Sequence, residues 1–171
     1  RMVAARLQNV DETGDVAVDI CPGIDQAVPD SRLCRQVTHG IEFLRLKQHE
    51  PVIMIKRLRL ADHQTMSLET SYLPFNRFSP LLSEDLGKNS LYEILANKFD
   101  TFPARSTSFI EAIACPQTES EMLEVKPGFP ILYIVGTNFD QNDQPFEHAE
   151  SYYRGDRFTF NFEIFNQSNK R

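Results

Sequence analysis

Two stretches of this chain echo each other. Leu46-Lys47-Gln48-His49-Glu50-Pro51-Val52-Ile53-Met54-Ile55 leads to a polar turn at Ala61 to Gln64 and then to Ser71-Tyr72; Val125-Lys126-Pro127-Gly128-Phe129-Pro130-Ile131-Leu132-Tyr133-Ile134 leads to a turn at Asp140 to Asp143 and then to Ser151-Tyr152. The two keep the same spacing up to the turn, and beyond it the second runs one residue longer, as expected if its turn carries one extra residue. A β-rich run, polar turn residues and another β-rich run are a hairpin signal. Each copy also follows a helix candidate. Thr118 and Glu121 have capping-box spacing and predict a short helix through Val125, stopped by Lys126-Pro127-Gly128. Arg35 to Leu44 is a weaker helical pattern that Gly40 interrupts. The unit is therefore helix then hairpin, repeated.

Between the copies lie a loop rich in Pro, Phe and Asn from Pro74 to Pro80, a helix from Ser90 to Phe99, and a strand from Ser106 to Ala114. After the second copy Arg154-Gly155-Asp156 reads as a turn, and Arg157 to Ile164 alternates Phe158, Phe160 and Phe162 with polar partners, a half-buried strand. Near the start, Val3 to Val10 and Val16 to Ile20 are strand candidates, while Cys21 to Ser31, with Pro22, Gly23 and Pro29, is loop-like. A repeated helix–hairpin unit with extra strands predicts an α+β fold, an antiparallel sheet with helices on one side.

At 171 residues the chain is long enough for one domain with a full core, so residues 1–171 are read as a single domain. Apolar residues at 41% and charged residues at 25% are ordinary for globular proteins, and no apolar run is long enough for a membrane span. We therefore expect a cytoplasmic protein with no membrane partner. The net charge of −6 repels phosphate backbones, so any DNA contact is expected from a domain outside these residues. The sequence opens at Arg1 without an initiator Met, which leads us to expect more chain upstream. Cys21, Cys34 and Cys115 lack zinc-site spacing and read as reduced thiols in or near the core.

Strand parity sorts the polar residues. In the first hairpin Leu58, Leu60, Met66 and Leu68 share one parity, while Arg57, Arg59, Ser67, Glu69 and Ser71 share the other. In the last strand of the second hairpin Glu147, Ala149, Ser151 and Tyr153 fall together. One reading is a solvated sheet face with cross-strand charge pairs worth a few tenths of a kcal/mol each. The other starts from Arg57 and Arg59, two forks aimed the same way, which suit a phosphate or carboxylate, with glutamates accepting from hydroxyls or an amine. Together these describe a polar, anionic small molecule. Ser90 also reads two ways, as a plain helix cap or as part of an anion site at the helix start, with Tyr92 at the same end.

His39, His49, His63 and His148 are scattered, and there is no Gly-x-Ser-x-Gly elbow, His-Glu-x-x-His or Gly-rich phosphate loop. Nothing nominates a nucleophile, a general base, a metal site or a cofactor. Binding is favoured over catalysis.

The segments Lys56-Arg57-Leu58-Arg59-Leu60-Ala61-Asp62, Met66, Glu69, Ser71-Tyr72-Leu73-Pro74, Ser90-Leu91-Tyr92, and Pro145-x-Glu147-x-x-x-Ser151-x-Tyr153-Arg154-Gly155-Asp156-Arg157 resemble the UTRA domain, the sensor domain of HutC-branch GntR transcription regulators, over about His39 to Ile164. The resemblance implies a chorismate-lyase-like fold, an antiparallel sheet flanked by helices, joined in the intact protein to an N-terminal winged helix-turn-helix, and a homodimer that reads two half-sites. It also implies that Arg57, Arg59 and Ser90 hold a phosphate, and that Glu69, Tyr92, Glu147 and Tyr153 hold the rest of the effector. Two departures stand out: the family's Ser-Phe-Thr-like segment before this domain is absent or was cut away, and Thr65 stands where Pro is usual. Asp11 to Cys34 matches no pattern. The rival readings are a chorismate-lyase-like enzyme and a non-catalytic protein-interaction domain, since fold alone does not decide function.

Overall fold

The computed structural model describes residues 2–5, 12–21, 40–47, 50–87 and 89–165. The two echoing stretches form two hairpins. The first joins β3 (Val52–Ala61) to β4 (Gln64–Pro74), and the second joins β6 (Pro130–Phe139) to β7 (Pro145–Arg154). With β2 (Glu12–Cys21) and β5 (Arg105–Ala114) they make a six-stranded sheet in the order β2-β3-β4-β7-β6-β5, antiparallel throughout. β1 (Met2–Ala5) pairs with β8 (Phe162–Phe165) in a separate two-stranded sheet.

The strand order makes the internal repeat a pseudo-twofold. β4 and β7 meet at the centre, where Thr70 faces Glu150, and those two occupy matching places in the two copies. Asp62 and His63 both have positive φ, as a tight two-residue hairpin turn requires, while the second turn is one residue longer and places only Asp143 there. Both hairpins shift register just before their turns, at Arg59/Leu60 and at Asn138/Phe139, again matching places.

Helices cover both faces, not one. The two helices that precede the hairpins do share a side: residues 40–43 are helical and pack Ile41 and Leu44 against Val52 and Tyr72, and Gln117–Met122 leads Leu123 onto Leu68, Ile131 and Tyr152. The central helix, Leu91–Phe99, takes the other side, packing Leu91, Ile94 and Leu95 with Ile53, Ile55 and Leu73. Fully burying such side chains contributes about 1.5–3 kcal/mol each, so the sheet is anchored from both faces.

Several local expectations are corrected. Gly40 opens the described part of its helix. It is helical, and a Cβ there would come within 3.1 Å of the Tyr72 ring, so its bareness sets the helix close to the sheet. The part of that helix expected at 35–39 lies outside the described residues. Thr118 and Glu121 form no capping box: Pro116 is the N-cap, no side chain caps the helix, and it ends at Met122, short of Val125. Pro74 to Pro80 is not open loop but two helical turns, Phe75–Phe78 and the 3-10 turn Ser79–Ser83, which bury Phe78 and Leu81. The last strand begins at Phe162; before it Phe158 and Phe160 alternate with exposed neighbours but lie outside the ladder. Near the start the strands are Met2–Ala5 and Glu12–Cys21; residues 6–11 lie outside the described residues.

Cys115 is a buried free thiol, pushed up by burial and by the nearby Glu119 carboxylate. Cys34 and the side chain of Cys21 lie outside the described residues. Among the described residues no helix is long and apolar enough to cross a membrane.

Candidate functional site

The sheet face beneath the Leu91–Phe99 helix carries the polar residues that parity selected. Register aligns Arg57 with Glu69 and Ser151 across β3, β4 and β7, and Arg59 with Ser67 and Tyr153. Beside them Glu147 is aligned with Asn138. An antiparallel ladder puts opposed residues on the same face, so long-range pairing has turned a local alternation into one surface.

Two clusters form on it. In the first, Arg57 Nη2 and Arg59 Nε both donate to Glu69 Oε2, at 3.4 and 3.3 Å. The Ser67 and Tyr153 hydroxyls donate to the other oxygen, Oε1, at 3.4 and 3.5 Å. Two guanidinium groups share one carboxylate, which leaves net positive charge. Arg57 is only 5% exposed, and its Nε is a buried donor with no hydrogen-bond partner among the described residues. An unmet buried donor costs about 1–3 kcal/mol. An anion reaching it would relieve that cost.

In the second cluster the Tyr92 hydroxyl donates to Glu147 Oε2 at 2.6 Å, and the Asn138 amide donates to the same oxygen at 2.7 Å and to the Tyr92 oxygen at 3.0 Å. Ser106 donates in turn to Asn138 Oδ1. Glu147 is 1% exposed. Its carboxyl is met by neutral donors only among these bonds, unlike Glu69, which faces two guanidinium groups. Tyr92 is 40% exposed as a residue, but desolvation of its phenol, then the charge of Glu147 and the hydrogen bond to it, raise that phenol well above its usual range, while Arg57 opposes them. Burial and then Glu69 likewise push Tyr153 up, against the hydrogen bond of Ser151 and the charge of Arg59. Both tyrosines therefore stay protonated donors at neutral pH.

Tyr92 belongs to the first turn of the helix that covers this face, so its bond to Glu147 ties helix to sheet. Ser90 is the N-cap of that helix, with extended backbone, and it is exposed. Its side chain makes no capping bond to the helix's own amides, so the plain capping role does not hold.

Arg57, Arg59, Glu69 and Tyr153 are thus joined in one cluster and Tyr92 and Glu147 in another, with Ser90 at the helix start. The sequence reading did not single out Asn138, Ser67 or Ser106 as site residues. Ser67 shares the parity of Glu69, which was a usable signal. Asn138 stands at the place in the second copy that Arg59 holds in the first, so the repeat could have nominated it. Among the described residues no cluster of His, Cys, Asp and Glu could hold a metal ion.

Comparison with known proteins gives a consistent result. The family model described as the UTRA domain matches residues 28–159, a span that starts earlier and ends sooner than the resemblance in the sequence. The HTH-type transcriptional repressor NagR of Bacillus subtilis (strain 168) is 36% identical over 107 residues, covering 62% of this chain and 43% of that protein. The chain therefore spans less than half the length of that relative. Among solved structures, a putative transcriptional regulator from Streptomyces coelicolor superposes with TM-score 0.75 at 22% identity, over 98% of this chain and 99% of that one. The ligand-binding domain of a putative GntR-family regulator from Bordetella bronchiseptica superposes with TM-score 0.67 at 19% identity, over 98% and 92%. These structural likenesses show the fold, and the relatives named are regulators, not enzymes.

Proposed function

The chain belongs to the UTRA domain family, and from that premise we propose that it is the effector-sensing part of a bacterial transcription regulator of the GntR type, in its HutC branch. It binds an anionic metabolite such as a sugar phosphate, and binding alters how a DNA-binding domain outside these residues holds its operator. The name of the Bacillus relative favours a repressor. In this reading the regulator acts in the cytoplasm as a homodimer on paired half-sites.

The observation that carries the proposal is the arrangement of two unlike clusters on one face. Arg57 and Arg59, only partly neutralised by Glu69, offer an anion site with a spare buried donor at Arg57 Nε. Glu147, with Tyr92 and Asn138, offers acceptors and donors for hydroxyl or amide groups on the rest of the molecule. A ligand with an anionic end and a polyhydroxy body fits both. Ser90 extends the anion site from the helix start.

Thermal-shift screening of the chain against sugar phosphates, sugar acids and chorismate tests this, because a ligand that binds only the folded state raises apparent stability by mass action. Stabilisation by a sugar phosphate and not by chorismate is expected. A response to chorismate alone, with turnover, would favour a lyase-like enzyme. No response to any of them would favour an interaction domain.

A further inference from the structure

The pseudo-twofold that relates the two hairpins also relates the two clusters of the candidate site, residue by residue. In the first hairpin Arg57 is paired with Glu69 and Arg59 with Ser67; at the matching places of the second, Gly136 is paired with Ala149 and Asn138 with Glu147. Register shifts just after Arg59 in one and just after Asn138 in the other, so the backbone presents these two positions alike. One scaffold is therefore used twice with different side chains. The first half carries two guanidinium groups, and the second carries a glycine in place of Arg57 and a neutral amide in place of Arg59.

Gly136 has no room for a side chain, since a Cβ there would lie 2.7 Å from the Thr107 carbonyl oxygen and against the Ser108 hydroxyl. The place of Asn138 is thus the one left for a cation in the second half, and it is filled by a neutral donor whose orientation is fixed. Its Oδ1 accepts from the Ser106 hydroxyl, which turns its amide nitrogen to Glu147 Oε2 at 2.7 Å and to the Tyr92 oxygen at 3.0 Å. A guanidinium in its place would engage the Glu147 carboxyl as Arg57 and Arg59 engage Glu69. Besides burial and Glu147, the charges of Arg57 and Glu69 act on the Tyr92 phenol, so the two halves lie within reach of one small molecule.

We propose that Asn138 is the residue that makes the site accept effectors with one anionic end and reject those with two. The inference rests on the sugar-phosphate reading of this face and deepens it. The anion goes to Arg57 and Arg59, and the second half, with Asn138 where the first has Arg59, takes an uncharged, hydroxyl-bearing end between Glu147, Tyr92 and Asn138. A second phosphate would meet the Glu147 carboxyl with no guanidinium beside it, which selects against the wrong ligand as well as for the right one.

Isothermal titration calorimetry with glucose and fructose monophosphates, and with the bisphosphates of the same sugars, tests this. The unchanged chain should prefer the monophosphate roughly tenfold or more, the worth of one charge-assisted contact. Asn138→Arg should narrow that preference. Asn138→Arg combined with Glu147→Ser, which copies the Arg59–Ser67 pair into the second half, should reverse it in favour of the bisphosphate. Circular dichroism and thermal melts check that each variant folds, and the single variant decides the matter if the double one does not. An unchanged chain that binds the bisphosphate as tightly as the monophosphate, or folded variants that keep the parent's preference, overturn the role of Asn138 and leave the effector reading standing. An unchanged chain that binds none of these sugar phosphates overturns the sugar-phosphate reading and this inference with it.

Discussion

Tyr92 on the covering helix and Glu147 on β7 are joined by a hydrogen bond of 2.6 Å between residues far apart in the sequence. Glu147 is buried, and its Oε2 accepts from Tyr92 and Asn138 together. Tyr92→Phe leaves that oxygen with one donor and frees the helix start from the sheet. We expect effector affinity to fall roughly tenfold, as loss of one charge-assisted hydrogen bond predicts, with the fold retained. Titration calorimetry of the variant against a ligand found by screening checks this; unchanged affinity would place Glu147 outside the binding surface.

The arginine cluster makes a stronger demand. A charge-assisted hydrogen bond contributes about 1.5–3 kcal/mol, so Arg57→Ala or Arg59→Ala should weaken binding roughly ten- to hundredfold. Arg→Lys should recover only part, because a point charge does not reproduce the guanidinium fork. If calorimetry finds both alanine variants binding as the parent does, the two side chains are only neutralising Glu69 and the anion site is elsewhere.

Thr65, the departure from the family's usual Pro, has a structural role that makes a separable prediction. Its hydroxyl donates to the Leu123 carbonyl at 2.7 Å and accepts from Arg154 Nη1 at 3.3 Å, fastening the first hairpin to the segment after the Gln117–Met122 helix. Thr65→Val should lower stability by about 1–3 kcal/mol, since it strands buried polar partners. Effector affinity should not change. Urea denaturation and calorimetry on the same variant separate the two effects.

Acid should loosen the second hairpin turn first. Burial works to raise Asp140, but the Gln144 amide, the Arg77 guanidinium at 2.7 Å and the Asn142 amide outweigh it and hold the carboxyl below its ordinary value of 3.8. A folded-state value below the unfolded one stabilises the fold above the unfolded value, and that contribution is lost as pH falls through the folded value. Asp140→Asn should therefore be less stable at neutral pH and should show a flatter loss of stability below about pH 4. Thermal melts across that range, with the same slope in both proteins, would remove Asp140 from the account.

The chain by itself should not bind DNA appreciably. Its net charge is −6, and its sequence has no recognition-helix pattern with basic flanks. A gel shift at low salt with nanomolar affinity would contradict this and would require a DNA-binding surface within these residues.

Much of this was legible in the amino-acid order. The echo of Leu46 to Tyr72 in Val125 to Tyr152 located both hairpins, their turns and the extra residue in the second. Strand parity put Arg57, Arg59, Ser67 and Glu69 on one face and Glu147 and Tyr153 together. These are local properties, because a strand alternates its side chains whatever it packs against. Short-range rules failed where packing overrode them: Thr118 and Glu121 have capping-box spacing but Pro116 starts the helix.

Tertiary structure alone decided how the faces are used. Nothing in the order of residues says that Leu91–Phe99 covers the arginine face while the two helices that precede the hairpins share the opposite side, and the expectation of helices on one side was wrong for that reason. The same choice brings Tyr92 to Glu147, and the pairing of β6 with β7 brings Asn138 to both. The sequence by itself determined which residues can share a surface, because that follows from backbone periodicity. Which surfaces are closed over, and which distant side chains share a proton donor there, depends on burial summed over the whole core, and only the folded chain expresses that sum.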